Sequence, residues 1–252
     1  MTVVIPAFDE VDRIAATVSA AHAVAGVATV VVVDDGSRDE TAAVAEAAGA
    51  LVVRHPRRRG KAAALETGVD VAGAGSTPGG PLLLLDGDLG TTAAAAGALV
   101  EPVLSGSVDA AVAVLPPQRI ADGRPAGGAG LVVGLARAGI VRATGLRPVQ
   151  PLSGQRCLTR AAFAAARPLA RGFGVETSMT IRLLREGFRL VEVPVAFEHR
   201  ASADDLAGRA HRARQLVDVA AALVTDLLRA TSAGRAGPRG PAGHARHRAD
   251  RS

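Results

Sequence analysis

The stretch PLLLLDGDLGTT, Pro81–Thr92, runs four leucines into Asp86 and Asp88, which Gly87 separates. An apolar run bounded by Pro and Gly reads as a buried parallel strand. Its acids then sit at the strand's carboxyl end beside a cation, because an unpaired buried carboxylate is costly. Hard oxygen donors at i and i+2, with a glycine that permits a tight turn between them, suit Mg2+ or Mn2+ bridging to a phosphate. A solvated acidic turn is the competing reading of two such acids taken alone. The arrangement recurs in VVVVDDGSRDET, where a valine run empties into Asp34, Asp35 and Gly36 before a helix start. An acid there accepts hydrogen bonds from a base N–H or a ribose hydroxyl, as acids after strands do in nucleotide sites. Helix capping, the alternative, accounts for Asp39 better than for Asp34 or Asp35.

The elements that position these acids are legible in outline. Strands are predicted at Val3 to Ile5, Thr29 to Asp34, Leu51 to Arg54, Leu82 to Leu85 and Ala110 to Val114. Helices are predicted near Glu10 to Ala25, Asp39 to Ala48, Lys61 to Ala74 and Thr92 to Leu104. This alternation predicts a single α/β domain, a mostly parallel Rossmann-like sheet with helices on both faces. Ligands of such sheets bind past the carboxyl ends of strands, where Pro6 to Glu10, Asp34 to Ser37 and Asp86 to Asp88 all fall. Ser37 or Asp39 is placed to cap a helix with Glu40 in its first turn, and Gly49 to stop it. Beyond Val114 comes a long irregular segment, then LVVGLARAGIVRATG as a helix carrying Arg137 and Arg142. FRLVEVPVAF alternates and needs neighbours in the same sheet, and a long helix is predicted from about Asp204 to Arg229. The last segment, 230–252, is rich in Gly, Pro, Arg and His without apolar period and reads as a disordered basic tail.

Composition narrows the function classes. With 252 residues, 48% hydrophobic and 21% charged, the chain builds one substantial core, and with five Phe and no Trp or Tyr that core is Val, Leu and Ala. From Thr231 onward five Arg stand against one Asp, so +4 of the formal +5 belongs to the tail and the rest is near neutral. Without aromatic stacking platforms or a basic folded surface, nucleic acid is not an expected partner. The single Cys157 rules out an intrachain disulfide and a Cys-rich zinc site, and reads as a small core residue. No leader pattern opens the chain and no run reaches 18 apolar residues, so a cytoplasmic protein is expected. RRRGKAAA lacks the first glycine and the Ser/Thr of a P-loop, GAGSTPGG has Pro78 where a dinucleotide fold needs glycine, and neither Ser37 nor Ser153 lies in G-x-S-x-G.

VVIPAFDE, VVVDDGSRDET, RRRGKAAALETG and LLLLDGDL, in this order and spacing, resemble the nucleotide-sugar domain of family 2 glycosyltransferases, the GT-A fold. The similarity is strongest to the branch of dolichyl/polyprenyl-phosphate sugar synthases and glucosyl-3-phosphoglycerate synthase. It implies a domain over 1–229, with a nucleotide-sugar half (1–115) and an acceptor half (116–229). By resemblance, Pro6, Ala7, Phe8 and Glu10 line the nucleoside pocket, Asp35 contacts the base, and Asp34 or Gly36 lies near the ribose. Gly60 and Lys61 match the family's G-K, whose Lys approaches the donor phosphates. Asp86, Gly87 and Asp88 match the D-x-D that holds Mg2+ or Mn2+ on the diphosphate. PLSGQRCLTR resembles the family's S-G-x-R loop, making Ser153, Gly154, Gln155 and Arg156 acceptor-side candidates, against the plain reading of a turn before a helix.

GFGVETSM puts Glu176 at a helix start, where the positive helix end favours its ionised form and a general base for an attacking hydroxyl is available. Helix capping is the competing reading. His199, just after the last predicted strand, takes the place of a metal-completing histidine in the family, against a structural hydrogen-bonding role. Arg200 and Arg209 are candidates to neutralise phosphate. The resemblance thus implies a metal-dependent glycosyltransferase, moving a sugar from a UDP- or GDP-sugar to a polyprenyl-phosphate or a small phosphorylated or hydroxyl acceptor, in cell envelope biosynthesis. The alternatives are an inactive nucleotide-sugar-binding scaffold and a nucleotidyltransferase. LVVGLARAGIVRATG either docks on the sheet or lies on a bilayer with Arg137 and Arg142 snorkelling, which would place the protein peripherally at the inner face of the cell membrane.

Overall fold

The computed structural model describes residues 1–74, 80–115, 130–197 and 215–226. Seven strands form one sheet: β1 (Thr2–Ala7), β2 (Thr29–Asp34), β3 (Leu51–Arg54), β4 (Leu82–Leu84), β5 (Ala110–Val114), β6 (Arg156–Leu158) and β7 (Leu190–Pro194). Their order is β3-β2-β1-β4-β6-β5-β7. β6 runs antiparallel to both of its neighbours, with Leu83 and Ala111 each opposite Cys157, and the other pairs are parallel. The helices are α1 (Ile14–His22), α2 (Thr41–Ala47), α3 (Lys61–Ala74), α4 (Gly97–Leu104), α5 (Gly130–Thr144), α6 (Arg160–Ala166), α7 (Val175–Arg185) and α8 (215–226). Among the described residues none is long and apolar enough to cross a membrane.

Period-two alternation divides the core. Val3, Ile5, Val30, Val32, Leu83 and Cys157 face one layer, with Ile14 and Val18 of α1 and Leu99 of α4. Val4, Leu82, Leu84 and Leu158 face the other, with Leu65 of α3, Phe163 of α6 and Met179 of α7. Both faces are covered, so the strands read as continuous Val and Leu runs. The alternating FRLVEVPVAF segment finds its neighbour, β7 pairing with β5 in the same sheet.

Three local expectations are corrected. α1 begins at Ile14 and not Glu10, because the residues before it are drawn to the loop after β2: Glu10 N–H donates to Thr41 Oγ1 at 2.8 Å and Val11 N–H to Asp39 Oδ2 at 3.3 Å. Asp39 and Thr41 thus serve two loops, and α2 starts only at Thr41, its Ncap Glu40 making no side-chain cap. The helix predicted over Thr92 to Leu104 is a 3-10 helix over Gly90–Ala96 followed by α4. β6 was not anticipated at all: three residues headed by an arginine carry no strand signal of their own. Its place between β4 and β5 is set by partners about 50 to 75 residues away. The tail 230–252, the start of the predicted last helix before residue 215 and most of the irregular segment after Val114 lie outside the described residues.

Candidate active site

The carboxyl ends of β1, β2 and β4 open onto a cavity of about 390 Å3. Pro6, Ala7, Phe8 and Glu10 line it from the β1 side, Asp35 from β2, and Asp86, Gly87 and Asp88 from β4. Lys61, Arg58 and Phe173 complete the wall. Nine of the residues assigned to donor and metal are therefore on one surface, although they come from four segments of the chain.

Each segment is held by named bonds. Asp9 adopts φ +54°, and its backbone N–H donates to Ser37 Oγ at 2.9 Å while its carboxylate accepts Arg38 N–H at 2.8 Å. The β1 and β2 loops are stitched together in this way. Gly36 is required twice over: its φ is +80°, and a Cβ there would lie 2.8 Å from the Arg57 carbonyl carbon. Asp35 is 4% exposed, and the loop after β3 holds both of its oxygens while leaving Oδ2 further acceptor capacity. His55 Nδ1 lies 2.7 Å from Oδ1, Arg59 N–H donates to Oδ1 at 2.8 Å, and Gly60 N–H donates to Oδ2 at 2.6 Å. Gly60 therefore acts on the site through its backbone. The Arg58 guanidinium stacks 4.1 Å over the Phe8 ring at the cavity wall, within the range of a cation–π contact. Asp34 does not reach this surface. Its carboxylate is fully buried, accepting the Ser37 N–H at 2.9 Å and the Ser37 hydroxyl, and pairing with Arg54 at 3.0 Å.

The Asp86–Asp88 turn is anchored from α1. Thr17 Oγ1 donates to the Gly87 carbonyl at 2.9 Å and accepts the Gly90 N–H at 2.8 Å, and Arg13 donates to the Asp88 carbonyl at 3.1 Å. Neither Arg13 nor Thr17 carried a signal in the sequence, for they act on residues about 70 positions away.

Lys61, the first residue of α3, joins the two halves of the chain. Its ammonium lies 2.7 Å from Asp86 Oδ1 and 2.9 Å from Glu176 Oε1. Burial alone would push this ammonium down, but the Asp86 carboxylate and then that of Glu176 outweigh it and hold Lys61 above the ordinary lysine value. Glu176 sits in the first turn of α7 and is 7% exposed. Gln155 Nε2 donates to Asp86 Oδ2 at 2.6 Å, so both oxygens of Asp86 are engaged. Gly154 packs under this group so closely that a Cβ would lie 2.4 Å from Lys61 Nζ. Ser153, Gly154 and Gln155 line a second cavity of about 370 Å3, which shares Asp86 with the first and is walled by Leu115, Val133, Val149, Pro151 and Leu152.

Arg156 does not face either cavity. It is 2% exposed and donates to Ser153 O at 2.9 Å, Thr180 Oγ1 at 3.0 Å and Glu176 O at 3.1 Å. Burial draws its guanidinium down to about 10, against the charges of Glu176 and Glu192. Its geometry is that of a residue fixing the first turn of α7, and so the backbone of Glu176, instead of an acceptor ligand. His199, Arg200 and Arg209 lie outside the described residues.

The donor set fits a divalent cation in part. Asp86 and Asp88 are hard oxygen donors at one cavity wall, and Asp86 already holds a cation in the form of the Lys61 ammonium. Among the described residues no three His, Cys, Asp or Glu side chains gather into a ready-made metal site. That suits an ion of the Mg2+ type, which takes one or two carboxylates and completes its shell with waters and substrate phosphates.

The fold and its cleft are those of a GT-A protein, an α/β domain with a mixed, mostly parallel sheet. Residues 2–125 match the family model described as glycosyl transferase family 2. Glycosyltransferase AglJ of Haloferax volcanii is 30% identical over 212 residues, 79% of this chain and 63% of that protein. Glycosyltransferase AglD of the same organism is 34% identical over 215 residues, 79% of this chain and 33% of that one. The chain thus spans less than two thirds of the length of the curated relatives it matches. Among solved structures, glucosyl-3-phosphoglycerate synthase from Mycobacterium tuberculosis, in complex with Mn2+, UDP and glucosyl-3-phosphoglycerate, superposes with a TM-score of 0.70 at 26% identity, covering 89% of this chain and 78% of that one. The chain belongs to glycosyltransferase family 2.

Proposed function

We propose that this protein transfers a sugar from a UDP-sugar to a phosphorylated or lipid-linked acceptor, with Mg2+ or Mn2+ held by Asp86 and Asp88. One observation carries the reading: Asp86 stands between two cavities, and Lys61 ties it to Glu176 at their junction. The first cavity takes the donor. Asp35, acceptor-only when ionised, meets a base N–H, and Phe8 with Arg58 offers the base a flat face. UDP as the nucleotide is supported by the mycobacterial synthase, whose structures contain UDP and UDP-glucose with Mn2+. The second cavity takes the acceptor. Its described lining is largely apolar, without Lys or Arg, which favours a lipid-linked acceptor over a small polar one. Arg200 and Arg209 are proposed to meet its phosphate.

In the reaction the bond between sugar C1 and the β-phosphate oxygen breaks, and a bond from the acceptor oxygen to C1 forms. Asp86 and Asp88, with His199 proposed as a further ligand, would hold the divalent ion, which when bound would supply positive charge to the leaving diphosphate. Lys61 adds a second, fixed positive charge on the same side. A hydroxyl acceptor passes its proton to Glu176, whereas a phosphate acceptor is already an anion, and Glu176 then only holds Lys61 in place. We place this activity on the cytoplasmic side, with the acceptor drawn from the inner face of the membrane in cell envelope biosynthesis.

The test is nucleotide release from UDP-glucose, other UDP-sugars and GDP-mannose, with Mn2+ or Mg2+ and a polyprenyl phosphate. Metal-dependent release that Asp88→Ala abolishes without changing the melting curve is expected. Folded protein that neither shifts its melting temperature nor releases nucleotide with any donor would establish the inactive scaffold instead.

A further inference from the structure

The exposed large apolar side chains are unevenly spread. Leu131 (81% exposed) and Val141 lie on α5, and Leu216, Val217 (65%) and Val224 (56%) on α8; Leu51, Leu104 and Val149 are the only others among the described residues. Spacing shows that this is an ordered face. Leu131, Leu135, Ala138 and Arg142 follow one another at steps of 4, 3 and 4 along α5, which puts them on one stripe of a helix. Val217, Ala221 and Val224 repeat the step of 4 and 3 on α8.

The two stripes meet. Leu135, Ala138, Arg142, Leu223 and Val224 line a groove of about 580 Å3 together with Ile181 and Arg185 of α7, larger than either active-site cavity. At its floor α5 and α8 pack so tightly that a Cβ on Gly139 would lie 2.2 Å from Leu223 Cδ2. The groove is therefore a shaped feature between close-packed helices.

Charge identifies what fits it. Among the described residues neither Arg142 nor Arg185 has a carboxylate partner; Arg185 donates only to the backbone carbonyls of Ala143 and Asp226. Of the two nearby acids, Asp226 itself lines the groove but pairs through Oδ1 with Arg182 at 2.9 Å, and Asp218 accepts the Phe173 N–H at 3.2 Å. α5 itself contains two arginines and no acid. The chain that continues past Asp226 adds Arg229 and five arginines against one Asp. An apolar channel with unbalanced guanidiniums at its mouth matches an anionic amphiphile. A second copy matches poorly, because a two-fold contact would set this positive face against itself.

We propose that the α5–α7–α8 groove is a peripheral membrane-docking site that takes anionic lipid, the acyl chain against Leu135, Ala138 and Val224 and the headgroup against Arg142 and Arg185. Interfacial helices bind in this way, by buried apolar area together with attraction to anionic headgroups. The site is separate from the donor cleft, and its failure leaves the catalytic reading standing.

The test is flotation of the full chain with phosphatidylcholine vesicles, with and without phosphatidylglycerol, at low salt. Binding is expected only with phosphatidylglycerol, and Arg142→Ala should weaken it about fivefold, the usual effect of one cation near an anionic surface. Val224→Asp should weaken it at least as much. Both positions are exposed, so unchanged melting temperatures and unchanged UDP binding should accompany the loss. Binding that both variants retain would assign it to the basic tail and overturn the site. So would equal binding to phosphatidylcholine, no binding, or a dimer that Val224→Asp dissociates.

Discussion

Arg156→Met separates positioning of Glu176 from donor binding. Methionine keeps the apolar stem and removes the guanidinium, along with three hydrogen bonds. Two of the abandoned acceptors stay satisfied, since Thr180 Oγ1 still donates to Glu176 O at 3.0 Å. Only Ser153 O loses its partner, and an orphaned buried carbonyl costs about 1–3 kcal/mol. The desolvation already imposed on the guanidinium, visible in its depression to about 10, offsets part of that cost. A net loss near 1–2 kcal/mol lowers the melting temperature by roughly 2–8 °C at this chain length. The functional loss should be larger than the stability loss suggests. The first turn of α7 carries Glu176, and small displacements of a reacting group can cost about 100-fold in rate. Calorimetric UDP binding, thermal melting and steady-state rates together decide the matter: a rate reduced about tenfold or more with UDP affinity unchanged within about twofold is expected. Weakened UDP binding with a normal rate would show that Arg156 serves the donor cleft, and the assignment to α7 would be wrong.

Gly36→Ala forces a side chain into a left-handed conformation and against the Arg57 backbone, so a loss of about 2 kcal/mol or more and weaker UDP binding are expected from melting curves and calorimetry. The Cys157 thiol, fully buried in the sheet, is pushed up to about 12 by burial. In the native protein it should resist a thiol reagent at pH 8, with the thiolate appearing only as the pH climbs toward that value, and it should react at once in denaturant; native reactivity at pH 8 would contradict its place on β6. Thr17→Val removes two of the three bonds that anchor the Asp86–Asp88 turn, leaving only that from Arg13, and metal-dependent UDP binding should fall about tenfold with melting lowered by only a few degrees.

What the sequence revealed and what it hid follow from distance along the chain. Strand and helix alternation, the acids at strand ends and the Gly60-Lys61 pair are written in runs of a dozen residues or fewer, and the cleft assembles from those runs. The inward turn of Asp34, the grip of His55 on Asp35 and the anchoring of Gly87 by Thr17 depend on contacts between segments, which leave no local pattern. β6 shows the same limit in the fold: three residues become a strand because β4 and β5 leave a place for them, and the buried Arg156 that would argue against a strand is satisfied by α7. The α5 stripe was visible as LVVGLARAGIVRATG and α8 as part of the helix predicted from about Asp204 to Arg229, but the groove between them was not.

The most direct test is a crystal of the protein grown with Mn2+ and UDP, measured for anomalous scattering. A manganese peak beside Asp86 and Asp88, roughly 2.0–2.3 Å from carboxylate and diphosphate oxygens, with uracil against Asp35, is the expected result. UDP bound outside the cleft, or seated in it with no metal between these acids and the diphosphate, would contradict the proposed mechanism.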